Sequence, residues 1–218
     1  MIITSLRTTA FRNLTDAVAS TSVKNVFLVG QNGQGKTNFL EALYFCSYAS
    51  SFRGSGDREI VRNGEKNFSA AITVSEKESF VKNVSSGVLV KIENGKKSVT
   101  IDGKRAEDRK DLLSVAPCIV FCHEDMDFAA GSPERRRWFF DQVLSLYDPV
   151  YLDDLRRYRH TLKSRNSVLR DNALHKNTGN TASLLDALDP QCALYGARLM
   201  EKRETASRLF SQVLSPLY

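Results

Sequence analysis

Residues Gly30-Gln31-Asn32-Gly33-Gln34-Gly35-Lys36-Thr37 complete the pattern G-x-x-x-x-G-K-[ST], and no other feature of the chain restricts its fold as tightly. Glycines let a backbone wrap until successive N–H groups converge on phosphate oxygens. A helix starting behind such a loop adds the partial positive charge of its N-terminus. The lysine reaches the β- and γ-phosphates, and the hydroxyl of Thr37 is a ligand for Mg2+. The flanking sequence agrees with this reading. The apolar run Val26-Phe27-Leu28-Val29 just before the loop predicts a buried strand. Lys36 to about Ala49 predicts a helix, with Phe39, Leu40, Leu43 and Tyr44 at helical spacing. Strand, glycine loop and helix in that order imply an α/β fold that binds a nucleoside triphosphate. No NKxD stretch for reading guanine is present, which points to Mg·ATP.

The rest of the chain separates into two textures. Residues 2–11 read as a strand with which 15–22 can pair, and a short helix is expected over Asp57–Arg62. Ala70–Val74, Phe80–Val84 and Val88–Ile92 alternate as strands do. Asn94-Gly95 is a tight-hairpin signal, because both central positions of that turn need positive φ. These residues predict an antiparallel meander, with a further buried strand at Ala116–Phe121. Helical signals then take over. Ser132-Pro133-Glu134 combines a cap, a first-turn proline and an acid suited to the positive helix end. Trp138, Phe139, Val143 and Leu146 follow as an apolar stripe, with a break at Asp148-Pro149. A long amphipathic helix is expected over 150–170, a polar loop over 171–181, and a final helix from an Asp189-Pro190 start to about Leu214. The last two form an αα-hairpin.

Three stretches resemble the RecF family of DNA-repair ATPases, relatives of the SMC heads within the ABC-type ATPases. One is the loop Gly30–Thr37 with Asn38, preceded by Phe11-Arg12-Asn13. The second runs from His123-Glu124-Asp125-Met126 through Gly131-Ser132-Pro133 to Arg135-Arg136-Arg137-Trp138-Phe139-Phe140-Asp141. The third is Asp148-Pro149 with Tyr151-Leu152, then Tyr158-Arg159 and Arg165-Asn166. His123, Met126 and Ala130 depart from the family's usual Pro, Leu and basic residue. The resemblance implies a P-loop ABC-ATPase-like head, with a mixed sheet carrying the meander in an ATP-binding lobe over 1–131. A helical lobe would follow over 132–218. It also implies that Arg12 lies near the nucleotide base and Arg53 beside nucleotide or DNA. RecF proteins carry a Walker B strand and an L-S-x-G-Q/E signature in their C-terminal part, and the chain stops before that part. Ile119–Asp125 and Val84–Gly87 mimic these two motifs only loosely, so no catalytic residue is assigned.

Lys and Arg total 31 against 25 Asp and Glu, a net charge of +6. The excess is concentrated. Arg156, Arg157, Arg159, Lys163, Arg165, Arg170 and Lys176 stand against the single acid Asp171 between 156 and 176. A helix of that density suits a phosphate backbone, which makes Arg156, Arg159 and Lys163 candidate DNA contacts. Cys46, Cys118, Cys122 and Cys192 include no CxxC pair, and the start shows no signal peptide, so a reduced, cytoplasmic protein is expected with no membrane association. By resemblance the function is recombinational repair at gaps and stalled forks. The partners would be DNA, a RecR-type mediator and a second head in an ATP-dependent homodimer of the complete protein. The alternatives are a truncated nucleotide-binding head without ATPase activity and a P-loop enzyme acting on a small molecule.

Overall fold

A computed structural model describes residues 2–75, 85–121, 131–175 and 178–217. The chain divides into two compact units, Met1–Phe121 and Cys122–Tyr218. In the first, six strands form one sheet in the order β2-β1-β3-β4-β5-β6: β1 Ile2–Thr9, β2 Ala17–Ser20, β3 Phe68–Ser75, β4 Ser85–Glu93, β5 Lys96–Ile101 and β6 Lys104–Arg105. Strict alternation in β3 buries Phe68, Ala70, Ile72 and Val74 on one face, and Val88, Val90 and Ile92 of β4 join them. The β4–β5 hairpin turns at Asn94 and Gly95, with φ of 51° and 74°, as the dipeptide predicts. Helices α1 (Lys36–Tyr48), α2 (Asp57–Ile60) and α3 (Arg109–Val115) complete the unit. Ala42, Phe45 and Cys46 of α1 and Leu112 of α3 close the core. Helix α3 was not foreseen from apolar spacing. Its signal is the capping box of Asp108 and Asp111.

Both predicted buried strands beside this sheet are corrected. Val26–Val29 and Ala116–Phe121 form no strand; Phe27 is 85% and Ile119 71% exposed. A buried strand needs neighbours to satisfy its N–H and C=O groups, and none among the described residues pairs with either stretch. Pro117 also lacks a donor. Every described pairing of the sheet is antiparallel, and the sheet with its helices makes the expected α/β head. Of the Phe39, Leu40 and Leu43 stripe, Phe39 and Leu43 pack half-buried against the edge of the core and Leu40 is exposed. With Val26 and Leu28 the stripe lines an open groove of about 690 Å3. Phe80–Val84 and the 122–130 stretch, with His123, Met126 and Ala130, lie outside the described residues, while Ser85-Ser86-Gly87 is paired strand within β4.

The second unit contains α4 (Pro133–Tyr147), α5 (Pro149–His175) and α6 (Thr178–Leu214). Ser132 caps α4 by accepting from the Arg135 N–H, as the sequence predicts. Helices α5 and α6 run antiparallel, joined by Asp148–Lys202 at 2.9 Å, Asp154–Arg198 at 3.6 Å and Arg165–Asp189 at 2.6 Å. The expected helix start at Asp189-Pro190 is corrected, because Pro190 lies inside α6. An interior proline costs a helix about 3 kcal/mol. Packing along α5 offsets this, and Asp189 serves as the acceptor for Arg165 rather than as a cap.

Candidate nucleotide-binding site

The glycine loop is assembled from three directions. Behind it stands the start of α1, whose cap residue Gly35 is left-handed, with φ +94°. No side chain caps this end, and no acid lies in its first turn. Helices α3 and α4 both have side-chain caps and first-turn acids. The open N–H groups of α1 therefore face the loop with their positive partial charge undiminished. Within the loop, Gly33 has φ +82°, a left-handed conformation that favours glycine, and it is exposed. Lys36 Nζ donates to the carbonyls of Gly30 and Gln31, both at 2.7 Å, which folds the ammonium over its own loop. Gln31, Asn32, Gln34 and Thr37 are exposed beside it.

The third direction is the turn after β1. Phe11 is fully buried, with ring centroids 5.5 Å from Phe68 and 6.0 Å from Phe45. That anchor fixes where Arg12 and Asn13 emerge, and the Arg12 N–H bonds the Ile60 carbonyl at 2.7 Å. Arg12 takes a left-handed φ of 48° and is tied down at every nitrogen. Nε and Nη2 donate to Glu41 at 2.8 Å each, Nη1 to the Glu59 carbonyl, and Nη2 also to Ser55. Arg53 lies 3.5 Å from the same carboxylate and donates to Asn38 Oδ1 at 3.0 Å. Burial works to raise the Glu41 pKa. Hydrogen bonds from Arg12 and Ser51, with the Arg12 and Arg53 charges, outweigh it and hold the carboxyl below its ordinary value. Glu41 is the site residue that reading the sequence missed. Its only signal was an acid on the side of α1 that faces the core.

The structure brings Arg12, Arg53 and Gly30–Thr37 into one neighbourhood through Glu41, Asn13 and Asn38. The basic stretch of α5 lies in the other unit. There Arg159 donates to buried Asp141 at 3.2 Å and Arg156 lies 3.9 Å from Asp153, while Lys163 is exposed. Arg157 and Arg165 reach Tyr195 and Asp189 of α6. Much of the helix's positive charge thus holds the hairpin together. No group of three or more metal-ligating side chains occurs among the described residues, and none of their helices is long and apolar enough to cross a membrane.

No family model matches the chain. Over 208 residues it is 36% identical to the DNA replication and repair protein RecF of Treponema pallidum, a match covering 95% of this chain and 56% of that protein. RecF of Synechococcus sp. strain JA-2-3B'a(2-13) is 34% identical over 218 residues, covering all of this chain and 54% of its own length. Among solved structures, the recombination mediator protein RecF-ATP of the RecFOR pathway superposes with a TM-score of 0.78 at 29% identity, over 95% of this chain and 54% of that one. The Smc head domain from Pyrococcus furiosus shares the fold, with a TM-score of 0.50 at 18% identity over 98% of this chain and 59% of that one. The class is therefore an ABC-ATPase-like head of the kind found in RecF and SMC proteins. Within that class the chain belongs to the RecF family, and it spans about half the length of the curated relatives it matches.

Proposed function

We propose that this chain is the nucleotide-binding head of a RecF-type DNA-repair protein and takes Mg·ATP on Gly30–Thr37. The observation that carries the proposal is the uncapped, acid-free start of α1 behind left-handed Gly33 and Gly35. A helix end in that state has unsatisfied donors and a positive field, which is what a triphosphate needs. Lys36 would exchange its two carbonyl acceptors for phosphate oxygens. Thr37, exposed in the first helical turn, is the residue to ligate Mg2+, whose charge would neutralise the phosphates. Arg12 serves the site by holding Glu41, and Arg53 is the more exposed of the two arginines. The match to a RecF-ATP structure supports the same ligand.

In the complete protein, a second head would close over the nucleotide and the closed pair would grip DNA, with a RecR-type mediator as partner and hydrolysis as the reset. Exposed Lys163 and Arg156 on α5 would contribute backbone contacts without sequence reading. For the 218 residues alone, the reading is weak nucleotide binding with little turnover, since no apolar strand ending in Asp-Glu and no L-S-x-G-Q/E signature occurs in them.

The test is a thermal-shift titration with Mg·ATP, Mg·ADP and Mg·GTP beside a Lys36→Ala control. Saturable stabilisation that favours adenine nucleotides and vanishes in the variant is expected. No shift with any nucleotide overturns the assignment for this chain.

A further inference from the structure

Asn13 bonds the glycine loop from outside it. Its Nδ2 donates to the Gly33 carbonyl at 2.9 Å, and its Oδ1 accepts from Asn38 Nδ2 at 2.7 Å. Asn38 Oδ1 in turn accepts from Arg53 Nη1 at 3.0 Å. The orientation of both amides follows from the ends of this chain. A carbonyl oxygen only accepts and a guanidinium only donates, so two amides between them have one consistent direction. Gly35 shows how closely Asn13 is seated. A Cβ at Gly35 would lie 2.9 Å from Asn13 Oδ1 and 3.0 Å from the Leu14 side chain. Asn13 therefore occupies space that only glycine leaves open. At the far end, Arg53 meets Glu41, which Arg12 clamps.

We propose that Asn13 and Asn38 are positioning residues for nucleotide binding: together they hold the glycine loop at Gly33 and tie its conformation to Arg53. The proposal rests on the nucleotide-binding reading of Gly30–Thr37. A phosphate-binding turn works only when its N–H groups already converge, and three glycines give this turn unusual freedom. Whatever ordering remains at the moment of binding is subtracted from affinity. A hydrogen bond at the Gly33 carbonyl, from a residue anchored by buried Phe11, removes part of that ordering beforehand. The relay also works in reverse, because a shift of Gly33 on nucleotide binding passes through both amides to Arg53.

The experiment uses the 218-residue chain as wild type, Asn13→Ala, Asn13→Asp, Asn38→Ala and the double alanine variant. Mg·ATP affinity is measured by calorimetry, and amide hydrogen exchange across residues 30–37 is measured without nucleotide. Asn13→Ala should weaken Mg·ATP about tenfold, the effect of one lost hydrogen bond, and should speed exchange in the loop. Asn13→Asp should bind more weakly still, since a carboxylate repels both the Gly33 carbonyl and the triphosphate. The double variant should resemble Asn13→Ala, because both changes cut the same chain. A purely structural role would lower thermal stability and leave affinity and loop exchange alone, which overturns the proposal. So would additive losses in the double variant. If wild type binds and Asn13→Ala binds equally well, the relay fails and the nucleotide reading stands. If wild type binds no nucleotide yet Asn13→Ala loosens the loop, the clamp on the loop stands and the nucleotide reading fails. Should Asn13→Ala not fold, Asn38→Ala cuts the same chain from α1 and carries the test.

Discussion

Glu41 in the first unit and Asp141 in the second are each a buried carboxylate held by two arginines and one hydroxyl. Glu41 takes a mostly buried Arg12, a more exposed Arg53 and the Ser51 hydroxyl at 2.5 Å. Asp141 takes a mostly buried Arg203 at 2.8 Å, a more exposed Arg159 and the Tyr151 hydroxyl at 2.5 Å. The chemistry is nearly the same, but the surroundings differ. Among the described residues the partners of Asp141 all lie on helices, and the cluster ties α4, α5 and α6 together. Around Glu41 the outer arginine continues through two amides to a glycine loop and an uncapped helix end. A buried ion-pair cluster is thus no sign of function by itself. What distinguishes the two is whether the outer partner connects to backbone that can bind a ligand.

The comparison can be broken most directly at its carboxylates. Removing one member of a buried charged cluster costs about 3–5 kcal/mol, since the remaining charges are left uncompensated. Asp141→Ala should lose stability of that order by urea denaturation and should leave the nucleotide affinity of molecules that remain folded unchanged. Glu41→Gln should also destabilise, by about 3 kcal/mol, and should in addition weaken Mg·ATP. Equal affinity losses in both variants would erase the distinction. Next in size is Lys36→Ala, which removes a charge-assisted bond to phosphate. It should cost about tenfold to a hundredfold in Mg·ATP affinity, with urea stability nearly unchanged.

Salt dependence sharpens the comparison on the helical side. Each phosphate-contacting cation contributes about 0.9 to the slope of log affinity against log salt for duplex DNA. Lys163→Ala should flatten the slope by about that amount. Arg159→Ala should act mainly by loosening the Asp141 cluster, seen as lost thermal stability. A full slope change from Arg159 and none from Lys163 would reverse these roles.

The smallest effect is in pH. The Glu41 carboxyl is held below its ordinary value of 4.5, so its contribution is complete only above that value and is lost as pH falls through the depressed one. Thermal stability should therefore fall on acidification below the ordinary value, and Glu41→Gln should remove part of the fall. An unchanged acid profile in the variant would mean the carboxylate titrates normally.

Elements whose signals are local were legible in the sequence. The glycine loop, the Asn94-Gly95 turn, the Ser132 cap and the alternation of β3 each depend on a few adjacent residues and appear as expected. Elements that depend on distant partners were not. Val26–Val29 and Ala116–Phe121 have strand composition, but a strand exists only where another strand takes its hydrogen bonds. Pro190 reads as a helix start, yet the α5–α6 hairpin carries the helix through it. The pairing of Arg12 with Glu41 and of Arg159 with Asp141, 29 and 18 residues away, has no local signal at all.

The sequence by itself determined the glycine-loop pattern, the helix behind it and the family, because all three rest on residue identities at short spacing. Only the tertiary structure decided which charges are available and which are spent. That decision depends on pairs such as Arg12–Glu41 and Asp141–Arg203, whose members are far apart along the chain. Their burial turns an ordinary acid and an ordinary arginine into a fixed part of the fold.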